Sequence, residues 1–321
     1  MDPLSQVFSL LNLRASRCTR FEASGNWSYR FPAKPALKFG AILRGACWID
    51  FGCGQRHQLV AGDSFQIADG PGYVLANDEA AFPEDGIAMF DWEHSDVARH
   101  GGDDTIVIAG SFTFDLPDAD FLLDALPRFL LMPAQHPSAA IIRSTLHIIQ
   151  EELGNARIGA ALLAERLVDI LLVQVLRAAL DQDRDQDRDQ NQDRDFGWIA
   201  ALTDPRIGKA IHLMHGDIAH SWCLEELCGR VAMSRSAFSK RFKTLVGQAP
   251  LDYLLRWRMR VARNKLRQGE SVAMIATDVG YASESAFRHA FKRLYGRAPG
   301  RYWQEVRLAS STSPVPAPPI P

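Results

Sequence analysis

Two closely similar stretches decide the fold of the C-terminal part of this chain. Residues 234–243 read SRSAFSKRFK, and residues 283–292, which lie 49 positions later, read SESAFRHAFK. Each stretch is followed by a Gly-x-Ala-Pro segment, which ends at Pro250 in the first copy and at Pro299 in the second. An internal repeat of this kind indicates one supersecondary unit that is used twice.

Each copy has the pattern of a helix-turn-helix unit. The first copy opens with apolar residues at positions i, i+3, i+4 and i+7 of one helix face, which are Leu224, Leu227, Cys228 and Val231. After a break, Ser234 is placed to N-cap a second helix, which ends at Gly247. The second copy repeats this arrangement, with Ser283 as the cap and Gly296 as the end. The predicted buried residues of the two second helices are Phe238, Phe242, Leu245, Phe287, Phe291 and Leu294.

The segment between the copies predicts one long helix from Pro250 to Arg267, closed by Gly269. Its apolar stripe comprises Leu255, Met259, Ala262 and Leu266. A single helix would hold the two units at a fixed distance. Two recognition helices that are spaced by one turn of DNA, about 34 Å, enter successive major-groove segments on one face of a duplex.

The charge of the chain is divided unevenly between its two halves. The whole chain has a net charge of −2. Residues 206–307 contain nineteen Lys and Arg against eight Asp and Glu, which gives +11, so the rest of the chain carries −13. A basic C-terminal half is the electrostatic footprint expected of a domain that binds nucleic-acid phosphates.

The duplicated segments resemble the AraC-type DNA-binding domain over roughly residues 206–307. The resemblance rests on residues 230–243 and on residues 275–292, each with its following Gly-x-Ala-Pro segment, and the second copy follows the family signature. It implies a sequence-specific regulator of transcription, with activation as the expected mode. The partners it implies are double-stranded promoter half-sites, a small-molecule effector and RNA polymerase, and a homodimer is left open.

The polar face of each predicted second helix supplies the candidate DNA contacts. These are Arg235, Ser236, Ser239, Lys240, Arg241, Lys243, Glu284, Ser285, Arg288, His289, Lys292 and Arg293. The resemblance puts base contacts at Ser236, Ser239, Lys240, Ser285 and His289. Arg288 is also expected to touch DNA, since Lys and Arg donate well to guanine and Glu accepts from cytosine. The cations expected at phosphates are Arg241, Lys243, Lys292 and Arg293. For each of these residues the alternative is a plain solvated side chain.

The N-terminal part has the short, Gly- and Pro-punctuated strands of a barrel or jelly roll. The predicted strands are Leu37–Leu43, Cys47–Phe51, Gln58–Val60, Ser64–Ala68, Tyr73–Ala76 and Thr105–Phe114. Residues 62–77 resemble the second cupin motif, which Gly62, Gly70 and Asn77 match. The expected fold class is therefore α+β, with a cupin-like β-barrel or jelly roll, a helical linker and an all-α double helix-turn-helix domain.

The usual metal ligands of a cupin are missing from this sequence. Tyr73 stands at the histidine position of the second motif, and Lys38 stands at the glutamate position of the first. The two histidine positions of the first motif fall on Pro32 and Lys34, or one residue earlier on Phe31 and Ala33. Because an ammonium group repels a cation, we expect no metal. The sequence contains no nucleophile motif, P-loop or dinucleotide fingerprint, so we also expect no cofactor and no catalytic residue.

Two other functions are kept as alternatives. A metal-dependent cupin enzyme fused to a DNA-binding domain would contain stoichiometric metal. A ligand-independent architectural DNA-binding protein would bind promoters regardless of any small molecule or oxidant.

The five cysteines are odd in number and form no CxxC pair, which suits free thiols in a reducing cytoplasm. Cys18, Cys47 and Cys53 lie in the expected sensor and are candidates for a redox signal, which requires an accessible thiolate of low pKa. No apolar run is long enough to span a membrane, and the N-terminus lacks the pattern of a secretion signal.

The sequence predicts five segments. They are a sensor domain at 1–135, linker or dimerisation helices at 136–180, a low-complexity polar linker at 181–197, the DNA-binding domain at 198–309 and a disordered tail at 310–321. The apolar stripe between Leu162 and Leu176 needs a covering surface, which is either the barrel itself or a second copy of the chain.

Overall fold

The computed structural model describes residues 14–34, 36–52, 54–78, 81–113, 126–155, 158–185 and 197–312, together with Pro3, Gln6 and Val7. These residues fall into two compact units. The N-terminal unit comprises the described residues between 14 and 185, and the C-terminal unit comprises residues 197–312 together with Pro3, Gln6 and Val7. Cys53, most of the predicted polar linker and most of the predicted tail lie outside the described residues.

The N-terminal unit contains a sandwich of two β-sheets. Its strands are β1 (Arg14–Ala23), β2 (Ser28–Phe31), β3 (Leu37–Arg44), β4 (Ala46–Asp50), β5 (Arg56–Val60), β6 (Ser64–Ile67), β7 (Tyr73–Ala76), β8 (Glu84–Asp85), β9 (Val97–His100), β10 (Thr105–Thr113) and β11 (Phe129–Met132). One sheet has the order β11-β6-β3-β10-β1-β9, and the other has the order β5-β4-β7-β2-β8. Neighbouring strands are antiparallel except for the pairs β1–β9 and β2–β8. The expected α+β class with an N-terminal cupin-type sheet domain is confirmed.

All six strands predicted from the sequence are present, within two residues at each end. Strand β3 is buried on both faces from Leu37 to Ile42, because the second sheet covers one face and a helix contacts the other. Strand β1 was not predicted, because its sequence RASRCTRFEA lacks a clean apolar alternation. Its charged side chains are satisfied by ion pairs such as Arg20 with Glu22, whose Nε and Oε1 atoms are 2.7 Å apart.

Two helices follow the sheets and pack on each other. They are α1 (Pro137–Asn155) and α2 (Ala160–Asp185), and α1 also contacts β1, β3, β6 and β10 of the six-stranded sheet. The predicted apolar face of α1 is buried, since Ile142, Leu146 and Ile149 are at most 1% exposed. Helix α2 continues five residues into the predicted polar linker. Despite its length, neither it nor any other described helix is apolar enough to cross a membrane.

The C-terminal unit is helical throughout. Its helices are α3 (Gly197–Ala201), α4 (Ile207–Gly216), α5 (Leu224–Arg230), α6 (Arg235–Val246), α7 (Pro250–Arg267), α8 (Val272–Asp278), α9 (Glu284–Tyr295) and α10 (Pro299–Thr312). Helices α5 and α6 form the first predicted helix-turn-helix, and α8 and α9 form the second. Both are confirmed, and so is the long helix α7 with the predicted bounds.

The ends of the two second helices follow from single residues. The hydroxyl of Ser234 accepts from the backbone N–H of Ala237 at 3.4 Å, and the hydroxyl of Ser283 accepts from that of Ala286 at 3.2 Å. Gly247 and Gly296 end the helices in the left-handed conformation, with φ values of 79° and 73°. Such a conformation costs glycine least, so each repeat specifies both ends of its own second helix.

The apolar faces differ from the prediction in two respects. Leu245 and Leu294 are only half-buried, and the neighbouring Val246 takes the buried place in α6. Helix α7 buries a second face besides the predicted one, because Tyr253 and Trp257 pack against His215 of α4. The His215 and Trp257 rings are stacked with their centres 3.9 Å apart, and His215 Nε2 lies 2.8 Å from the Tyr253 hydroxyl. Burial lowers the pKa of His215 to about 3, so this imidazole is neutral and serves the core.

Candidate nucleic-acid interface

Helix α6 buries one side and presents a polar side to solvent. Phe238 and Phe242 are fully buried, one turn apart. The exposed residues on the remaining surface are Arg235, Ser236, Lys240, Arg241 and Lys243, while Ser239 is half-buried. The i, i+4 spacing of the phenylalanines therefore fixes which side chains are available to a ligand.

Helix α9 has the same arrangement in the second repeat. Phe287 and Phe291 are fully buried and belong to a core that Met259, Ala262 and Leu266 of α7 complete. The exposed residues are Ser285, Arg288, His289, Lys292 and Arg293, while Glu284 is half-buried. All the candidate DNA contacts of both helices thus reach solvent at least in part.

Two of the candidate arginines are held by neighbouring carboxylates. Arg235 pairs with Glu225 of α5, with 2.6 Å between its Nη2 and the Glu225 Oε1. Arg288 Nε donates to Glu284 Oε1 at 2.6 Å, one turn back along α9. Each pair offsets positive charge on the helix surface.

Arg241 is the third of the candidate arginines that a carboxylate holds, and its partner is Asp204. Its Nε donates to Asp204 Oδ2 at 2.7 Å. The other oxygen of Asp204 accepts from the backbone N–H groups of Arg206 and Ile207, at 3.0 and 2.9 Å, where α4 begins. Burial alone would raise the pKa of Asp204, but these N–H groups and the guanidinium lower it below its usual value. Arg241 therefore joins α6 to the start of α4, and its guanidinium also stays exposed to solvent.

Four candidate cations remain unpaired in the described part of the chain. Lys240 and Lys243 lie on α6, and Lys292 and Arg293 lie on α9, with no described carboxylate in ion-pair contact with any of them. Ammonium and guanidinium groups that are exposed and unpaired are the ones most readily transferred to DNA phosphates or guanine edges.

Contacts that the sequence did not indicate hold the second repeat against the segment between α4 and α5, which precedes the first repeat. Arg258 of α7 donates to the backbone carbonyls of Ile218 and His220, at 2.9 and 2.6 Å. Gly280, in the turn of the second repeat, has a φ of 78°, and a Cβ atom at this position would lie 2.4 Å from the carbonyl oxygen of Ala219. The turn of the second repeat therefore packs directly on the segment between α4 and α5.

The positions aligned with cupin metal ligands come together inside the sandwich. Lys38 Nζ lies 4.9 Å from the centre of the Tyr73 ring and 3.4 Å from the carbonyl oxygen of Pro32. Within the described residues, no group of three or more His, Cys, Asp or Glu side chains is arranged to hold a metal ion. The side chains that meet here are thus an amine and a phenol, in aromatic surroundings.

The cysteine candidates for redox sensing divide into two cases. Cys18 and Cys47 are buried in the N-terminal unit, and burial raises the pKa of each thiol to about 12. A thiol of that kind carries almost no thiolate near neutral pH, which argues against the expected role. Cys53, the third candidate, lies outside the described residues.

Comparisons with known proteins match both parts of the chain. The cupin family model matches residues 2–181, and a helix-turn-helix domain model matches residues 227–305. A putative AraC-like transcription regulator of Streptomyces antibioticus is 39% identical over 305 residues, which cover 94% of this chain and 98% of that protein. The HTH-type transcriptional regulator AlkR of Acinetobacter baylyi is 27% identical over 319 residues, which cover 95% of this chain and all of that protein.

Among solved structures, the DNA-binding domain of AdpA in complex with a target DNA is 29% identical. The match covers 35% of this chain and the whole of that domain, with a TM-score of 0.33. The identity and coverage of the Streptomyces relative, together with a cupin model that spans more than half of the sequence, are sufficient to assign the family. The chain belongs to the AraC-like transcription regulators, with a cupin domain in its N-terminal half and a helix-turn-helix DNA-binding domain in its C-terminal half.

Proposed function

We propose that this protein is a cytoplasmic transcription activator that binds two adjacent DNA half-sites through α6 and α9 and contacts RNA polymerase from there. The observation that carries the proposal is the matched pair of polar helix faces on either side of α7. Helix α7 has 18 residues and is therefore about 27 Å long. A helix of this length separates α6 and α9, which we call the first and the second reader, by a distance comparable to one turn of DNA.

The contacts divide by chemistry. Lys240, Ser236 and Ser239 of the first reader, with Ser285 and His289 of the second, face base edges, where they donate or accept hydrogen bonds according to sequence. Lys243, Lys292 and Arg293 meet phosphates and set the register without reading the sequence. Arg288 and Glu284, which form an ion pair with each other, contact DNA from the second reader.

The spacing of the half-sites tests the proposal. In a reporter strain, the protein should raise transcription from its operator, which is identified by selection from a random DNA pool. Inserting five base pairs between the half-sites turns the second one to the opposite side of the duplex, and should weaken binding at least about tenfold. A ten-base-pair insertion restores the side but adds about 34 Å, so a rigid α7 should tolerate it no better.

Either of two results would contradict part of the proposal: the first its geometry, the second its mode of regulation. One is full binding with the ten-base-pair insertion, which would require readers that move apart freely. The other is reporter output that falls when the protein is supplied, which would make it a repressor.

The N-terminal domain is proposed to sense a small molecule and to change how the readers meet DNA. A ligand that binds one arrangement of the protein more tightly shifts the population towards it, and this coupling is reciprocal between ligand and DNA. A cavity between the two sheets, lined largely by apolar and aromatic side chains, supports a small-molecule signal. The buried, high-pKa thiols of Cys18 and Cys47 do not favour an oxidant.

We also propose a homodimer formed through α2. Leu162, Leu163 and Ile170 of this helix are 44–60% exposed, whereas Leu171, Val175 and Leu176 are buried. An apolar stripe that packing within the chain covers only in part suits a contact between two copies. Sedimentation equilibrium should give a dimer mass, and a Leu162→Glu, Ile170→Glu variant should give a monomer. A monomer mass for the unsubstituted chain at about 100 µM would contradict the proposal.

A further inference from the structure

The space between the two sheets of the N-terminal unit forms a cavity. It encloses about 600 Å³ not occupied by protein atoms, including its opening to solvent. Both sheets contribute to its lining, and nearly half of the lining residues are aromatic, including Phe21, Trp27, Tyr29, Phe31, Tyr73 and Phe90. A concave apolar lining with a few polar groups is typical of a site for a small organic ligand.

One side chain in this lining is a cation. Lys38 lies on β3 and is 4% exposed, and its ammonium group lies against the Pro32 carbonyl and the face of the Tyr73 ring. Among the described residues, no carboxylate forms an ion pair with it, and the charged group that acts on it is Lys34, which repels. Buried cations in proteins are normally paired with an anion, because desolvation is otherwise uncompensated.

The protonation of Lys38 is compatible with an anionic partner. Burial, and to a smaller extent the charge of Lys34, lower the pKa of Lys38 to about 8. The amine is therefore still mostly protonated near pH 7, and a bound anion would raise its pKa again.

We propose that the cavity binds a small hydrophobic monocarboxylate, whose carboxylate pairs with the Lys38 ammonium group and whose apolar body lies among the aromatic side chains. This inference rests on the proposed effector role of the N-terminal domain, and it names the chemical class of that effector. One ammonium group balances one negative charge, so a dianion such as a phosphate monoester would bring in an unbalanced charge. The Phe31 and Tyr73 rings are stacked with their centres 5.0 Å apart, and the Phe21 ring stands edge-on to Trp27 at 4.9 Å. These ring faces and edges suit a planar or chain-like apolar body.

Calorimetric titration of the full-length protein tests the proposal with two acids and their neutral counterparts. The probes are 2-naphthoate and octanoate, each compared with its primary amide. The unsubstituted protein should bind at least one acid about 10- to 100-fold more tightly than its amide, which is the range for one charge-assisted contact. This comparison needs no variant and therefore does not depend on the folding of one.

Three variants identify the residue. Lys38→Met should lose the preference for the acid, while Lys38→Arg should retain part of it because the positive charge remains. The matched control is Lys34→Met, which removes a nearby cation that does not line the cavity and should change affinity by less than about threefold. Lys38→Met should also melt at a higher temperature than the unsubstituted protein, since it removes an unpaired buried charge.

The outcomes separate the proposal from the proposed function. Equal affinity for acid and amide, failure of both acids to bind at about millimolar concentration, or an unchanged acid preference in Lys38→Met would each overturn the carboxylate assignment. Mobility shifts with operator DNA are measured on the same samples. If the unsubstituted protein did not bind DNA, the proposed regulator function itself would be contradicted. If it bound DNA but neither acid, only the carboxylate inference would be contradicted.

Discussion

Lys240→Glu is expected to weaken binding to operator DNA by about 100-fold or more at a fixed salt concentration. Lys240 is exposed on α6 and has no ion pair among the described residues, so its full charge is available to DNA. The substitution removes a donor that guanine accepts well and places a negative charge against the phosphates. Fluorescence anisotropy with labelled operator DNA, repeated over a range of salt concentrations, measures the effect. The slope of log K against log salt should also fall in magnitude by about one to two.

The matched control for this variant is Lys209→Glu. Lys209 is also exposed and lies in the same unit, but it belongs to α4 rather than to a reader helix. The same change of charge there should cost at most a few-fold through the general field of the domain. Equal losses in the two variants would mean that only the net charge matters, and the assignment of α6 as a reader helix would then be wrong.

Lys243→Ala makes the same experiment more informative. If Lys243 contacts a phosphate, this variant should weaken binding to operator and to random DNA by the same factor. Lys240→Ala should instead relax the preference for one base position. A loss of preference in both variants would place both lysines at bases.

Gly280→Ala is expected to destabilise the C-terminal unit by about 3 kcal/mol or more. Two costs add at this position. An alanine must adopt a φ of 78°, which costs about 1–2 kcal/mol. Its Cβ must also lie 2.4 Å from the Ala219 carbonyl oxygen and 2.8 Å from Arg258 Nη2, so the turn of the second repeat has to move away from the segment before the first. Urea unfolding of the full chain, followed by circular dichroism, measures the shift of the helical transition.

A second glycine in the same repeat, Gly296, supplies the control for this prediction. Gly296 has nearly the same conformation, with a φ of 73°, but a Cβ atom there would meet no atom within 4 Å. Gly296→Ala should therefore show the conformational cost alone, about 1–2 kcal/mol. Gly280→Ala should in addition reduce operator binding, because the Arg258 bonds to Ile218 and His220 would be disturbed. Equal destabilisation in the two variants would contradict the close packing at Gly280.

The two helix-turn-helix units were predictable because their information is local. A serine that caps a helix, phenylalanines one turn apart and a glycine that ends the helix lie within fifteen residues of each other, and the repeat states the pattern twice. The same holds for the six predicted strands of the sandwich, which are short and are bounded by their own turn residues. Strand β1 was not predicted, because its charged residues pair with residues far away along the chain. One example is Arg99, whose Nε donates to Glu22 at 2.9 Å.

What the sequence determined by itself was the family, the two kinds of fold, the buried phenylalanines and the set of side chains that can face DNA. Only the tertiary structure decided which of those cations form ion pairs within the protein. It ties Arg241 to Asp204, 37 positions away along the chain, and leaves Lys240 and Lys243 unpaired. It also brings the Lys38 ammonium over Tyr73 inside an aromatic cavity, and packs Gly280 on the Ala219 carbonyl. The physical reason is that caps and periodic stripes act over one or two helical turns, whereas an ion pair, a cavity or a close backbone approach depends on segments that meet only after the chain has folded.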